Sequence, residues 1–161
     1  MAVHKLTFDD WEESHFELIA IHTTVEDFRL AFLMNRELPI LLKNIPSPSK
    51  LNENPIVHHF NRFEFKDQKN DMCWHLIQNK VMVKNENPKN TVLFAEVEES
   101  MKPLYLLPEY KKVDFVCKIE GEPYQIETLK ICNAIKQIPW VSMAYPIESS
   151  KIKSKNHLIF S

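Results

Sequence analysis

The chain has 161 residues and a formal charge of −2 from 20 basic and 22 acidic side chains, which is the size of one ordinary domain and gives no global electrostatic case for a nucleic-acid or acidic-membrane partner. Glycine occurs once, at Gly121, which excludes dinucleotide fingerprints, P-loops and nucleophile elbows, because each needs glycine where backbone approaches phosphate or turns sharply. Three cysteines, Cys73, Cys117 and Cys132, cannot all pair and sit in apolar patterns, so they read as reduced small hydrophobes of a cytoplasmic chain.

The start leads into Asp9, Asp10, Glu12 and Glu13 instead of an apolar run, so no secretory signal is expected. No segment approaches the roughly 20 apolar residues that span a bilayer. Residues 5–8 read as a short edge strand, followed by an acidic turn over 9–14. Phe16 to Thr23 is nearly continuously apolar and of strand length, as in a central strand covered on both faces. It runs into a helix over 25–38, with Thr23 or Thr24 as cap and Glu26 or Asp27 completing a capping box. Helical spacing puts Phe28, Ala31, Phe32, Asn35 and Leu38 against the sheet, while Leu30, Leu33 and Met34 widen the apolar face. Pro39 ends the helix.

Residues 43–55, with Pro46, Pro48 and Pro55, read as a surface loop. Strands are expected at 56–65 and 72–84, joined by the polar stretch 66–71, then at 91–97 after a second polar turn. Glu96, Glu98 and Glu99 form an acidic exposed end before a strand over 104–107. Beyond Gly121, Pro123 suits the first position of a second helix running to Gln137, with Tyr124, Ile131, Ile135 and Ile138 on one side. Residues 140–147 follow as a strand with Val141, Met143 and Tyr145 on one face, and 157–160 as a last one. The order of elements predicts one α+β domain over 1–161, a two-layer sandwich with a largely antiparallel sheet and two helices on one face.

The densest stretch is Leu106 to Phe115. Pro108 sets its own φ and holds Leu107 extended, so a strand ends there and about one helical turn follows over 109–112. Val113, Phe115, Cys117 and Ile119 then alternate as an inward face. Asp114 falls on the opposite face and needs a partner, for which Arg29 is the preferred candidate. Leu107-Pro108-Glu109, three residues, then Val113-Asp114-Phe115 resembles the bacterial family named for its IPExxxVDY signature, with Leu107 standing for Ile and Phe115 for Tyr. The run from Leu18 to Ala31 and the ending from Lys151 to Phe160 share the likeness. The resemblance implies no catalytic residue, cofactor or ligand set to carry over.

Three constellations carry chemistry. His58, His59, Cys73 and His75 form the grouping with metal-ligand character, and Cys73 and His75 share a strand face. Paired ligand spacing is missing, so ordinary strand residues are the preferred reading and neither metal nor cofactor is expected. Glu109, Asp114 and His22 would make an acid–base site if the corner folded them around one cleft, against a preferred structural use in which the carboxylate holds the corner through backbone amides or an arginine. Phe60, Arg62 and Phe63 on one strand, with Lys151, Lys153 and Lys155 in the tail, are the candidate RNA contacts, although the glycines of RNA-recognition strands are absent. The leading expectation is a non-enzymatic interaction module that engages a protein partner or a second copy, with no membrane association.

Overall fold

The structure, a computed structural model, describes residues 15–46, 56–85 and 100–160. The expected strands at 5–8 and 91–97, the acidic turn at 9–14 and the acidic end at Glu96, Glu98 and Glu99 lie outside them. Among the described residues the regular elements are β1 (Phe16–Thr23), α1 (Asp27–Glu37), β2 (Lys43–Ile45), β3 (Arg62–Asp67), β4 (Met72–Gln78), β5 (Lys80–Lys84), β6 (Met101–Tyr105), β7 (Phe115–Glu120), α2 (Thr128–Lys136) and β8 (Val141–Ile147). Six strands form an antiparallel sheet in the order β2-β3-β4-β7-β1-β8, and β5 and β6 pair separately as a ribbon. Both helices pack on one face, which makes the α+β sandwich that the element order predicts. No helix among the described residues is long and apolar enough to cross a membrane.

Strand alternation sorts the central strands into two cores. On the helix side Ile19, Ile21, Trp74, Leu76, Cys117 and Ile119 meet Leu30, Met34, Cys132 and Ile135. On the other side Leu18, Ala20, Ile77, Val116 and Ile147 meet Leu106, Leu107, Val113, Ile152 and Leu158, so this face is covered by the proline corner and the C-terminal segment. A continuous apolar β1 follows from cover on both sides.

Several expectations change. Phe28 and Phe32 are 62% and 65% exposed, while Leu30, Ala31, Leu33 and Met34 are buried. Both sets obey helical spacing, and the branched and flexible side chains fill the space beside the sheet. Glu26, not a threonine, takes the N-cap position, without a side-chain bond. Thr23 Oγ1 instead accepts from the Val25 amide at 3.2 Å. Asn35 faces the following loop, exchanging two hydrogen bonds with the Leu42 backbone (2.8 and 3.1 Å). Part of the expected loop 43–55 is β2. The expected strand 72–84 breaks at Asn79 into β4 and β5. Pro123–Gln125 is a 3-10 turn ahead of α2, which leaves Tyr124 exposed, and Lys155–Leu158 is a 3-10 turn instead of a strand.

The corner forms as expected at Pro108–Tyr110, but Asn79 holds it. Its fully buried side chain accepts from the Leu107 amide at 2.9 Å and donates to the Tyr110 and Val113 carbonyls at 2.8 and 3.0 Å. Its backbone bonds Asp114 and Leu106 as well. Asp114 is exposed at the entry to β7 and accepts from the Thr23 amide at 2.9 Å. The expected Arg29 partnership is replaced, because Arg29 lies over the Trp140 ring at 4.6 Å.

Candidate functional site

Strands β3, β4 and β7 place their charged residues in rows across one sheet face. Glu64, His75 and Lys118 are register neighbours, and so are Lys66, Cys73 and Glu120. Side chains at such positions stand close enough to interact directly. These rows continue the face that carries Ile77 and Val116, so they form the polar end of the second core. All of their residues but Lys118 line a cavity of about 710 Å³, which His15, Asp67, Asp71, Gly121, Glu122 and Phe160 help to complete.

Three of the charged or titratable groups are almost wholly buried: Arg62 (7% exposed), His75 (3%) and Lys118 (5%). Buried charge requires partners. Arg62 lies 3.9 Å from Glu64 and over the Phe160 ring. Lys118 bonds Glu120 and donates to the Leu158 carbonyl at 2.8 Å, which ties the C-terminal segment over the sheet. The rings of Phe16 and Phe160 also face its ammonium, at 5.0 and 5.2 Å.

His75 is the centre of the group. Its Nε2 is 3.3 Å from Cys73 Sγ and 3.7 Å from Glu120, and its Nδ1 is 3.6 Å from Glu64. Nδ1 is buried without a hydrogen-bond partner. The facing His75 ring, and then Lys118, hold the Glu120 carboxyl down at about 2 against its burial. Burial, then the carboxylates of Glu64 and Glu120, push the Cys73 thiol up to about 11. One donor atom each from Glu64, Cys73 and His75 falls within 4.8 Å of the others, which makes these the residues able to hold a metal ion.

Of the residues singled out from sequence, Arg62, Cys73 and His75 lie in this site and the others lie elsewhere. Glu109 Oε1 accepts from the Lys153 amide (2.8 Å) and from the amide and hydroxyl of Ser154 (2.9 and 3.0 Å). Those hydrogen bonds outweigh its partial burial and hold its carboxyl below the usual range. His22 bonds the Tyr145 hydroxyl at 2.9 Å. None of Glu109, Asp114 and His22 lines the cavity, so they do not share that cleft. Phe60 and Phe63 are 5% and 6% exposed and sit in opposite cores, which leaves neither ring face to a base. Lys151 pairs with Glu148 at 3.0 Å, and Lys153 and Lys155 belong to the exposed C-terminal segment. His58 and His59 form a 3-10 turn outside the Cys73–His75 group.

Glu64, Lys118, Glu120, Phe160 and Asn79 are missed by the sequence reading. A signal exists for three of them. Arg62-x-Glu64-x-Lys66 and Lys118-x-Glu120 repeat charge at alternate positions of otherwise apolar strands, the same parity as Cys73-x-His75. Compared with known proteins, the chain matches no family model, no curated protein and no solved structure.

Proposed function

We propose that the chain is a non-enzymatic interaction module that pairs with a second copy of itself through the outer surface of its helix layer. The observation that carries this reading is Trp140. It holds a left-handed backbone (φ 69°), and its ring is 59% exposed. For a bulky residue that conformation costs about 1–3 kcal/mol. A glycine would avoid the cost, so the position favours the ring over backbone ease. Arg29 stacks on it, and Phe28 and Phe32 are exposed one helical turn apart along α1. Exposed aromatic and arginine side chains of this kind are the usual anchors of protein interfaces.

A second copy fits by helix polarity. Glu26 and Asp27 lie at the start of α1, and at its end Arg36 is paired with Glu37 at 3.2 Å. Two copies of α1 packed antiparallel set the positive end of one helix dipole beside the negative end of the other. The bacterial cytoplasmic setting rests on the resemblance to the IPExxxVDY family and on the three free thiols. Sedimentation over a concentration series tests the pairing. A dimer is expected, and Phe32→Glu converts it to a monomer whose melting temperature equals that of the unsubstituted chain when both are measured at a concentration where both are monomeric. Trp140→Gly also abolishes pairing without lowering the melting temperature under that condition. A chain that stays monomeric throughout, or a dimer that survives both substitutions, overturns the reading.

A further inference from the structure

We propose that Glu64, Cys73 and His75 form a site for one divalent transition-metal ion, zinc by the character of its donors, with the fourth coordination position open to the cavity. The site lies on the sheet face opposite the helices and is independent of the interface argued above.

Geometry comes first. Tetrahedral zinc with ligand bonds of 2.0 to 2.3 Å holds its donor atoms about 3.4–3.6 Å apart. The structure has Glu64 at 3.6 Å from His75 Nδ1, the nitrogen that would bind, and one donor atom each from Glu64, Cys73 and His75 within 4.8 Å, with Cys73 Sγ nearer Nε2 at 3.3 Å. Closing on an ion at Nδ1 therefore means drawing Cys73 Sγ in from the Nε2 side of the ring by side-chain movement. The three residues stand on two paired strands of a six-stranded sheet, Glu64 directly opposite His75, so the scaffold is already rigid.

The buried His75 ring supplies an independent pointer. It lines the cavity at 3% exposure, and its Nδ1 has no hydrogen-bond partner. An unpartnered buried nitrogen is destabilising, and a metal ion bound at Nδ1 removes that penalty. With Nδ1 on the ion, Nε2 faces the Glu120 carboxylate at 3.7 Å. That is the outer-shell arrangement that orients ligating histidines. Lys118 in turn fixes Glu120.

The choice of a cation over an anion follows from the lining. Five carboxylates (Glu64, Asp67, Asp71, Glu120 and Glu122) face the cavity, against Arg62 and Lys66. Arg62 is already engaged by Glu64 and Phe160. A thiol and an imidazole select zinc or a neighbouring transition metal over magnesium or calcium, which take all-oxygen shells. Three protein donors with a free position facing a cavity also differ from closed structural zinc sites, which use four.

Metal titration of the full-length chain, stripped with chelator, tests the site. One zinc per chain is expected, and cobalt(II) should give the intense visible bands of tetrahedral coordination with a sulfur-to-metal charge-transfer band in the near ultraviolet. Cys73→Ser removes the charge-transfer band, and Glu64→Gln and His75→Ala abolish stoichiometric binding. Glu120→Gln weakens zinc about 10-fold, the effect of an outer-shell partner. Substitution of His58 and His59 together leaves stoichiometry and cobalt spectrum unchanged. Because the cobalt spectrum is read on the unsubstituted chain, misfolding of any variant does not shield the idea. Absence of a stoichiometric ion there, a cobalt spectrum without sulfur, or loss of the ion on removing His58 and His59 overturns it.

Discussion

Asn79 shows how a single polar side chain can organise a corner. Residues 106–114 turn sharply beneath the sheet, where Leu106, Leu107 and Val113 are buried and their backbone groups are out of reach of water. The carboxamide meets one amide and two carbonyls of that turn, while its own backbone meets two more groups. Asn79→Ala leaves the Leu107 amide and the Tyr110 and Val113 carbonyls without those partners. The expected loss is about 3 kcal/mol of unfolding free energy, since each buried unsatisfied group costs about 1–3 kcal/mol and part is recovered by relaxation. Urea denaturation checks this, and a loss below 1 kcal/mol would mean the corner stands without the side chain. Asp114 needs less: its carboxylate closes the end of β1 by accepting from Thr23, and it stays exposed.

At the scale of an element, α1 separates stability from display. Leu30 and Met34 are fully buried against the sheet, whereas Phe32, between them in sequence, points outward. Leu30→Ala should cost about 2–5 kcal/mol, the range for truncating a core leucine. Phe32→Ala should move stability by no more than about 0.5 kcal/mol. Thermal or urea unfolding of the two variants at a concentration where the chain is monomeric checks the contrast. Equal losses would mean that the helix is rotated from the orientation described. Strands β4 and β7 divide labour along their length instead. Towards Ile77 and Val116 the face is apolar and covered, and towards Cys73 and Glu120 it is charged and lines the cavity.

For the whole molecule, the C-terminal segment closes the second core in place of another layer of helices. Ile152 and Leu158 are its buried contacts, the Leu158 carbonyl accepts from Lys118, and His157 Nδ1 is 2.7 Å from the Leu106 carbonyl. Glu109 anchors the same segment through the Lys153 and Ser154 amides. Its folded-state pKa lies below the ordinary 4.5. A depressed carboxyl pKa contributes stability that is present above the unfolded value and is lost as pH falls through the folded one. Glu109→Gln should therefore lower the melting temperature slightly at about pH 7, and the gap should shrink below about pH 4.5 as the native carboxylate takes up its proton. Melting curves across that range check it. A gap that is constant with pH would assign the anchor to shape and not to charge.

Chain-local physics determined much of this protein. The strand over Phe16–Thr23, the stop at Pro39, the turn at Pro108 and the α+β sandwich were legible because continuous apolar runs, fixed proline φ and helical spacing act on neighbours in sequence. Where two local solutions were equally good, only packing chose. Phe28 with Phe32 and Leu30 with Met34 carry the same period, and the sheet selects the second pair. The interruption at Asn79 was invisible for a related reason, since its partners lie 28 to 34 residues away. The Glu64, Cys73, His75 and Glu120 cluster depends on the register of three strands, which places β7 beside β4 across a separation of some forty residues. Cys73 and His75 could be read from one strand. The carboxylates that complete their surroundings come from two others, and strand order is decided by the shared core and not by any one segment.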